Sequence, residues 1–272
     1  MKTNPRIRTI GLFGFGAFGR LLARHLGLRF QLVIHDPFQS PDSIWRFGTL
    51  AETAACDLVI LAVPVADMKD MLRRIAPHLR RGSIVADVGS VKLAPTRLMA
   101  DELPSHVEVL GTHPLFGPQS AAAGLAGHKI MLCPVRCPSA RHIAAFLRSS
   151  FGLRVFITTA EEHDREAAVV QGLTHLIAKV LVRMEPLPKR LTTASFEHLM
   201  RGVEMVRHDA PGVLDAIERE NPFAAGVRER FLTEVEAVHR QIEAMQGVPA
   251  PPALPEGGCQ RPNSFAGKFR LD

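Results

Sequence analysis

Apolar residues recur along this chain in two different rhythms. Up to about residue 158, short apolar runs rich in β-branched residues alternate with amphipathic segments. The runs Ile7–Phe13, Phe30–His35, Asp57–Pro64, Ser83–Val88, Val107–Leu110, Lys129–Leu132 and Arg154–Thr158 are too short for buried helices and read as strands. Between them lie a helix beginning near Leu21, a short amphipathic stretch around Ile44 to Leu50, and helices over Ala66–His78 and Ser139–Ser150. Another helix follows Lys92, with Pro95 in its first turn, where a missing N–H costs nothing. Strand–helix units joined by short turns predict an α/β fold with a doubly wound, mostly parallel sheet.

From Glu161 the period becomes helical. Val169, Leu173, Leu176, Ile177, Val180, Leu181 and Met184 share one face of a long helix that Pro186 and Pro188 stop. A second helix is predicted over Ser195–Asp209, broken near Pro211-Gly212, and a third over Pro222–Met245. Residues 1–154 thus read as the sheet domain and 155–246 as a separate all-α domain. Apolar stripes this extensive predict a homodimer formed through the helices. The tail, 247–272, is rich in Pro and Gly without periodicity and reads as disordered or loosely attached.

Composition narrows the class without naming it. The 272 residues are 46% hydrophobic and 22% charged, ordinary for a globular protein with a core. The apolar run Leu58–Val65 falls short of the roughly 20 residues that span a membrane. The N-terminal residues lead into the first strand without a signal-type apolar region, so a cytoplasmic protein is expected. Cys56, Cys133, Cys137 and Cys259 lack paired metal spacing and read as plain thiols, with no metal site. The net charge of +6 is spread along the chain with no nucleic-acid-reading motif. An anionic cofactor and a small anionic substrate account for it equally well.

The first turn carries the chemistry of a dinucleotide site. The apolar run to Phe13 is followed at once by Gly14-x-Gly16-x-x-Gly19 and then by Leu21, Leu22, His25 and Leu26 at helical spacing. That order is the Rossmann-like fingerprint. One glycine makes the turn, one lets backbone N–H groups reach a pyrophosphate, and one packs helix on strand. The helix N-terminus then faces the phosphates. Gly14, Phe15, Gly16, Ala17, Phe18 and Gly19 are therefore the expected cofactor loop, joined by Val63 and Pro64 after the third strand. Asp36 ends the second strand, where an acidic residue reads the adenosine ribose and repels a 2′-phosphate, so NAD is expected over NADP. His35 and Arg46 are the basic groups near it in sequence.

Ligands in such sheets bind at the carboxyl ends of the strands, where Asp36, Val63-Pro64, Ser90 and His113 all fall. His113, bracketed by Gly111 and Pro114, could take a proton from a substrate hydroxyl, or could merely pack or cap its loop. Ser90 could orient it or cap a helix; Lys92 could meet a carboxylate or stay solvated. His163-Asp164 opens the long helix, where an acid suits the dipole anyway. His175 lies on that helix about 120° around the axis from His163, so helical spacing does not join the two histidines.

Four separated motifs in order resemble the prephenate/arogenate dehydrogenase family. They are Gly14-x-Gly16-x-x-Gly19, Asp87-Val-Gly-Ser-Val-Lys92, Gly111-Thr-His-Pro-Leu-Phe-Gly117, and Glu162-His-Asp164 with Gln171-Gly-Leu-Thr-His175. The resemblance covers about residues 7–245. It implies a nucleotide-binding domain followed by a helical dimerisation domain, and oxidative decarboxylation of prephenate or arogenate in tyrosine biosynthesis. By the same resemblance His113 is the catalytic histidine, Ser90 its hydrogen-bonding partner, and Lys92 and His175 lie near the substrate. Gln119 stands where some members carry a glutamate, and Arg201 and Arg207 are both candidates for the substrate-carboxylate arginine. The rival reading of another class is a nicotinamide-sensing regulatory protein.

Overall fold

The computed structural model describes residues 7–40, 43–209 and 211–246. The expectation for the tail 247–272, and with it Cys259, lies outside them. Met1–Phe231 forms one compact unit and Leu232–Asp272 a second.

In the first unit the strands are β1 (Thr9–Phe13), β2 (Gln31–His35), β3 (Leu58–Leu61), β4 (Ile84–Asp87), β5 (Glu108–Pro114), β6 (Lys129–Arg136) and β7 (Arg154–Ile157). They form one sheet in the order β2-β1-β3-β4-β5-β6-β7. Helices α1 (Ala17–Leu26), α2 (Leu50–Ala54), α3 (Val65–Ile75), α4 (Leu93–Glu102) and α5 (Ala140–Phe151) connect them. The strands bury both faces, which is why they read as continuous apolar runs. On one side Phe13, Val59, Leu61, Val85 and Val109 pack with Met68, Leu72 and Met99. On the other, Ile84, Ala86, Leu110, Ile130 and Leu132 pack with Ala140 and Ala144. Each large side chain buried this way is worth about 1.5–3 kcal/mol.

The sheet is mostly parallel, as expected, with one reversal: β6 pairs antiparallel with β5, and β7 follows β6 in parallel. The stretch joining β5 to β6 contains turns but no helix, so the chain returns beside β5 without the crossover that a parallel neighbour requires. That pairing also lengthens β5. Thr112, His113 and Pro114 lie opposite Leu132, Met131 and Ile130, so His113 belongs to the strand itself rather than to a loop after it. Around Ile44–Leu50 the chain runs beside β2, with Phe47 bridged to Ile34. Helix α2 begins only at Leu50, behind a capping box of Thr49 and Glu52.

The long helix starts where Thr159 caps it, its hydroxyl accepting from Glu162 N at 3.1 Å. It runs as α6 (Ala160–Ala167), a π turn (Ala168–Gly172) and α7 (Leu173–Arg183). Then come α8 (Ala194–Arg207), α9 (Pro211–Asp215), a second π turn (Ala216–Glu220) and α10 (Ala224–Gln246). The last residues of α10, from Leu232, belong to the second unit, where the described residues are all helical. No helix among the described residues is long and apolar enough to cross a membrane.

Candidate active site

The glycine loop separates space needed for packing from space left open. Gly14 has φ 93°, and a Cβ there would stand 2.3 Å from the Ala62 carbonyl oxygen. A Cβ on Gly19 would meet the Gly14 carbonyl oxygen at 2.2 Å. At Gly16 nothing lies within 4 Å of that position, although Gly16 stands at the N-cap of α1. The middle glycine thus leaves the helix N-terminus accessible to an anion, which fits a dinucleotide pyrophosphate.

Asp36 is fixed by the loop it faces: it accepts Phe15 N at 2.6 Å on Oδ2 and Phe38 N at 2.9 Å on Oδ1. The Phe15 side chain is buried against the Phe47 and Trp45 rings, so of that residue only the backbone serves the loop. Ala17 is exposed, Phe18 packs on Phe116, Val63 is half-buried and Pro64 caps α3. One basic group escaped the sequence reading. Arg20 lies over the Phe15 ring and donates to Gln39 Oε1 at 2.8 Å, so folding brings a cation from α1 towards the loop that follows Asp36.

The carboxyl ends of β4 and β5 carry a buried polar network. Asp87 ends β4 and is ion-paired with Lys92, both side chains essentially inaccessible. Asp87 also accepts Gly89 N at 2.9 Å and Thr112 N at 3.3 Å. The first turn of α6 meets this loop. Asp164 Oδ1 accepts Lys92 N at 2.7 Å and Oδ2 accepts Leu93 N at 2.9 Å. The same carboxylate lies 2.8 Å from His163 Nδ1, and His163 Nε2 lies 2.8 Å from His113 Nδ1.

This chain fixes the tautomers. An ionised carboxylate can only accept, so His163 Nδ1 carries a proton, and in the neutral imidazole His163 Nε2 is then the acceptor. His113 Nδ1 must then be the donor, leaving the lone pair on His113 Nε2. Burial pushes the His113 pKa well below its ordinary value, and positive charge nearby, that of a protonated His163 and of Lys92, lowers it further. The product is a neutral imidazole with a known basic nitrogen. Gln171 Nε2, from the π turn, lies 3.4 Å from that nitrogen.

The structure redistributes the residues singled out in the sequence. His113 stands at the centre, but its hydrogen bonds run to His163 and Gln171 and not to Ser90, which is half-buried in the β4–α4 loop. Lys92 is wholly buried, and Asp87 takes its charge. His175 bonds the Gln171 carbonyl through Nδ1 at 2.9 Å and Asp209 through Nε2 at 3.2 Å. Burial disfavours its cation, but the Asp209 carboxylate and the Gln171 carbonyl outweigh this and raise its pKa. Gln119 is exposed in the loop after β5 and Arg201 is exposed on α8, while Arg207 is ion-paired with Glu185 and Glu204. His163 and Asp164 open the helix as the sequence predicts, and the adjacent His-Asp pair is the signal in the sequence for their place beside His113.

Cys133 and Cys137 are buried thiols, which burial pushes up to about 12. Among the described residues no cluster of His, Cys, Asp and Glu could hold a metal ion.

Residues 45–149 match the family model described as the prephenate dehydrogenase nucleotide-binding domain. The chain is 34% identical over 127 residues to a Methanocaldococcus jannaschii protein named "Probable arogenate/prephenate dehydrogenase", a match spanning 44% of this chain and only 27% of that protein. It is 30% identical over 204 residues to the cyclohexadienyl dehydrogenase of Zymomonas mobilis, covering 70% of this chain and 69% of that one. In fold it resembles the prephenate dehydrogenase of A. aeolicus solved with hydroxyphenyl propionate and NAD+, with a TM-score of 0.70, 20% identity, and coverage of 90% and 93% of the two chains. The glycine loop, the strand-end histidine and these relatives agree: this chain belongs to the prephenate/arogenate dehydrogenase family.

Proposed function

We propose that the protein is an NAD-dependent oxidoreductase of tyrosine biosynthesis that converts prephenate to 4-hydroxyphenylpyruvate by oxidative decarboxylation. The observation that carries this reading is the anchored chain Asp164–His163–His113, which leaves His113 neutral with its lone pair on Nε2. Bound nicotinamide would supply the hydride acceptor. The residues that would hold the dinucleotide are the Gly14–Gly19 loop, Asp36, and Val63-Pro64.

The chain's own part is to orient and to move one proton. His113 Nε2 accepts the hydrogen of the substrate's ring hydroxyl as the C–H bond at that carbon breaks, and the carbon becomes a carbonyl. Loss of carbon dioxide then leaves its electron pair in the ring. The resulting phenolate oxygen takes the proton back from His113. General-base catalysis of this kind is worth about 10²–10⁴-fold. His175, held by Asp209, and the arginines of α8 stand in the helical part, where substrate carboxylates would be met. Asp36 favours NAD through its carboxylate, and Arg20 is already engaged by Gln39.

The second part of the proposal is a homodimer. Val169, Val170 and Val180 on the long helix, and Leu199 and Met205 on α8, are exposed apolar side chains that a second copy would cover. In the second unit Leu232, Val235, Val238 and Ile242 form another exposed stripe.

The test is turnover of purified protein with prephenate and with arogenate, each with NAD and NADP. Prephenate with NAD is expected to give the highest kcat/KM. Turnover of arogenate alone would move the substrate to the amino analogue. Cofactor binding without turnover of either, together with salt-dependent DNA binding, would favour a regulatory protein. A monomer by light scattering at full activity would remove the dimer.

A further inference from the structure

The side chain least well served near His113 is that of Gln171. Its Nε2 stands 3.4 Å from His113 Nε2, longer than the 2.7–3.2 Å of a normal N–H hydrogen bond. Its Oε1 is buried without a hydrogen-bond partner. A buried acceptor left unpaired carries a desolvation cost.

The backbone beneath it is firmly held. Gln171 lies in the π turn Ala168–Gly172, and such turns within α-helices occur frequently at functional sites. Its carbonyl accepts from His175 Nδ1. Beside the adjoining Gly172 runs the second π turn, with Glu218 Oε1 3.6 Å from where a Cβ on Gly172 would stand, an ordinary contact distance. Glu218 is itself fixed by Arg228 at 2.6 Å. The scaffold therefore fixes the Cα of Gln171 while leaving its amide loosely engaged at the one nitrogen that has a free lone pair.

We propose that Gln171 is a catalytic residue that binds the oxygen of the substrate's ring hydroxyl, its Nε2–H donating to that oxygen while the hydroxyl donates to His113 Nε2. This rests on the reading of His113 as the base for a cyclohexadienol. The O–H bond breaks towards His113 and the C–H electron pair leaves as hydride, so the oxygen carries negative charge on its way to a carbonyl. It carries charge again as a phenolate, once carbon dioxide has left and before the proton returns. An N–H aimed at that atom favours both states over the bound alcohol.

The experiment uses the full chain with Gln171→Met, which removes the amide, and Gln171→Glu, which keeps the shape but cannot donate at neutral pH. Binding of 4-hydroxyphenylpyruvate and of phenylpyruvate is measured by calorimetry with NADH present, alongside kcat with prephenate. Wild type is expected to favour the hydroxylated ligand by about tenfold or more, since a site built to bond a hydroxyl rejects the analogue lacking it. Both variants should lose most of that preference and about 10²-fold in kcat. A role in packing alone would be rescued by Gln171→Glu. Either variant retaining the full preference and kcat overturns the assignment of Gln171. Wild type that binds both ligands equally overturns it too, and with it the reading of the substrate.

Discussion

Lys92 and Asp164 meet through the backbone and not through charge: Asp164 Oδ1 accepts the Lys92 N–H at 2.7 Å, while the Lys92 ammonium turns away to Asp87. Asp164 therefore behaves as an anchor whose acceptors are filled by N–H groups of a rigid loop. In Asp164→Asn one end of the side chain must present N–H to another N–H. Stability should fall by about 1–3 kcal/mol in urea titration. The tautomer chain loses its fixed end, so kcat should fall with KM changed much less. A variant that loses stability but keeps wild-type kcat would separate the anchor from the chemistry.

His113→Asn keeps a polar side chain and removes the base. We expect kcat to fall by about 10²–10⁴-fold with a smaller change in KM. On the proposed mechanism the neutral imidazole is the active form in the wild type, and its pKa is depressed, chiefly by burial. Activity should therefore persist below pH 6.5, the usual histidine value, and fall only as pH drops further. A kcat profile whose acid limb lies above that value would contradict the assignment.

Two buried histidines should tilt stability in opposite directions with pH. His113 has a lowered pKa, so its contribution is present above the unfolded value near 6.5 and is lost as pH falls towards the folded one. His175 has a raised pKa, so its contribution is complete below the unfolded value and is lost as pH rises through the folded one. Relative to wild type, His175→Asn should lose more stability at pH 5.5 than at pH 8. Equal losses at the two pH values would mean that the Asp209 contact does not favour the cation.

Lys92→Met should cost about 3–5 kcal/mol by leaving Asp87 buried without its cation. It should also raise the pKa of His113, because the Lys92 charge helps to hold that pKa down. The checks are a urea titration and an upward move of the acid limb of kcat. An exposed, substrate-binding lysine would instead raise KM at unchanged stability.

Gly16→Ala separates fold from ligand. Its φ of −68° suits alanine and nothing obstructs the methyl group, so the melting temperature should hold. NAD affinity should fall about tenfold or more, because the backbone amides can no longer be reached closely. Gly14→Ala and Gly19→Ala should destabilise the fold itself, since each would drive a methyl group into a carbonyl oxygen.

The strands, the glycine loop and the helical period after Glu161 were legible because each depends on local spacing. The reversal at β6 was not, because strand direction depends on what lies between strands, and the stretch after Pro114 has no pattern of its own. His113 could be found from its place at the end of β5, but its partners come from a helix fifty residues away. The burial of Lys92 was hidden for a related reason. A lysine beside a serine suggests an open site, and only the register placing Leu61 beside Asp87, and Asp87 beside Gly111, shows that the strand end it folds onto is interior. Gln171 stood in the sequence only as one member of a motif, and its approach to His113 was not legible, because that contact depends on the packing of the π turn against β5.

Asp164 also accepts, through its carbonyl oxygen, the Asn221 side chain at 2.8 Å. One residue thus ties the loop after β4, the His113–His163 pair and the segment leading into α10. If His113 is the proton acceptor proposed above, it acquires its tautomer only when these distant stretches of chain have come together. Activity in this protein is therefore a reporter of completed folding. A chain whose sheet has formed while α6 remains undocked would bind dinucleotide through the glycine loop and still be catalytically silent, and during denaturation turnover would vanish before the cofactor site does.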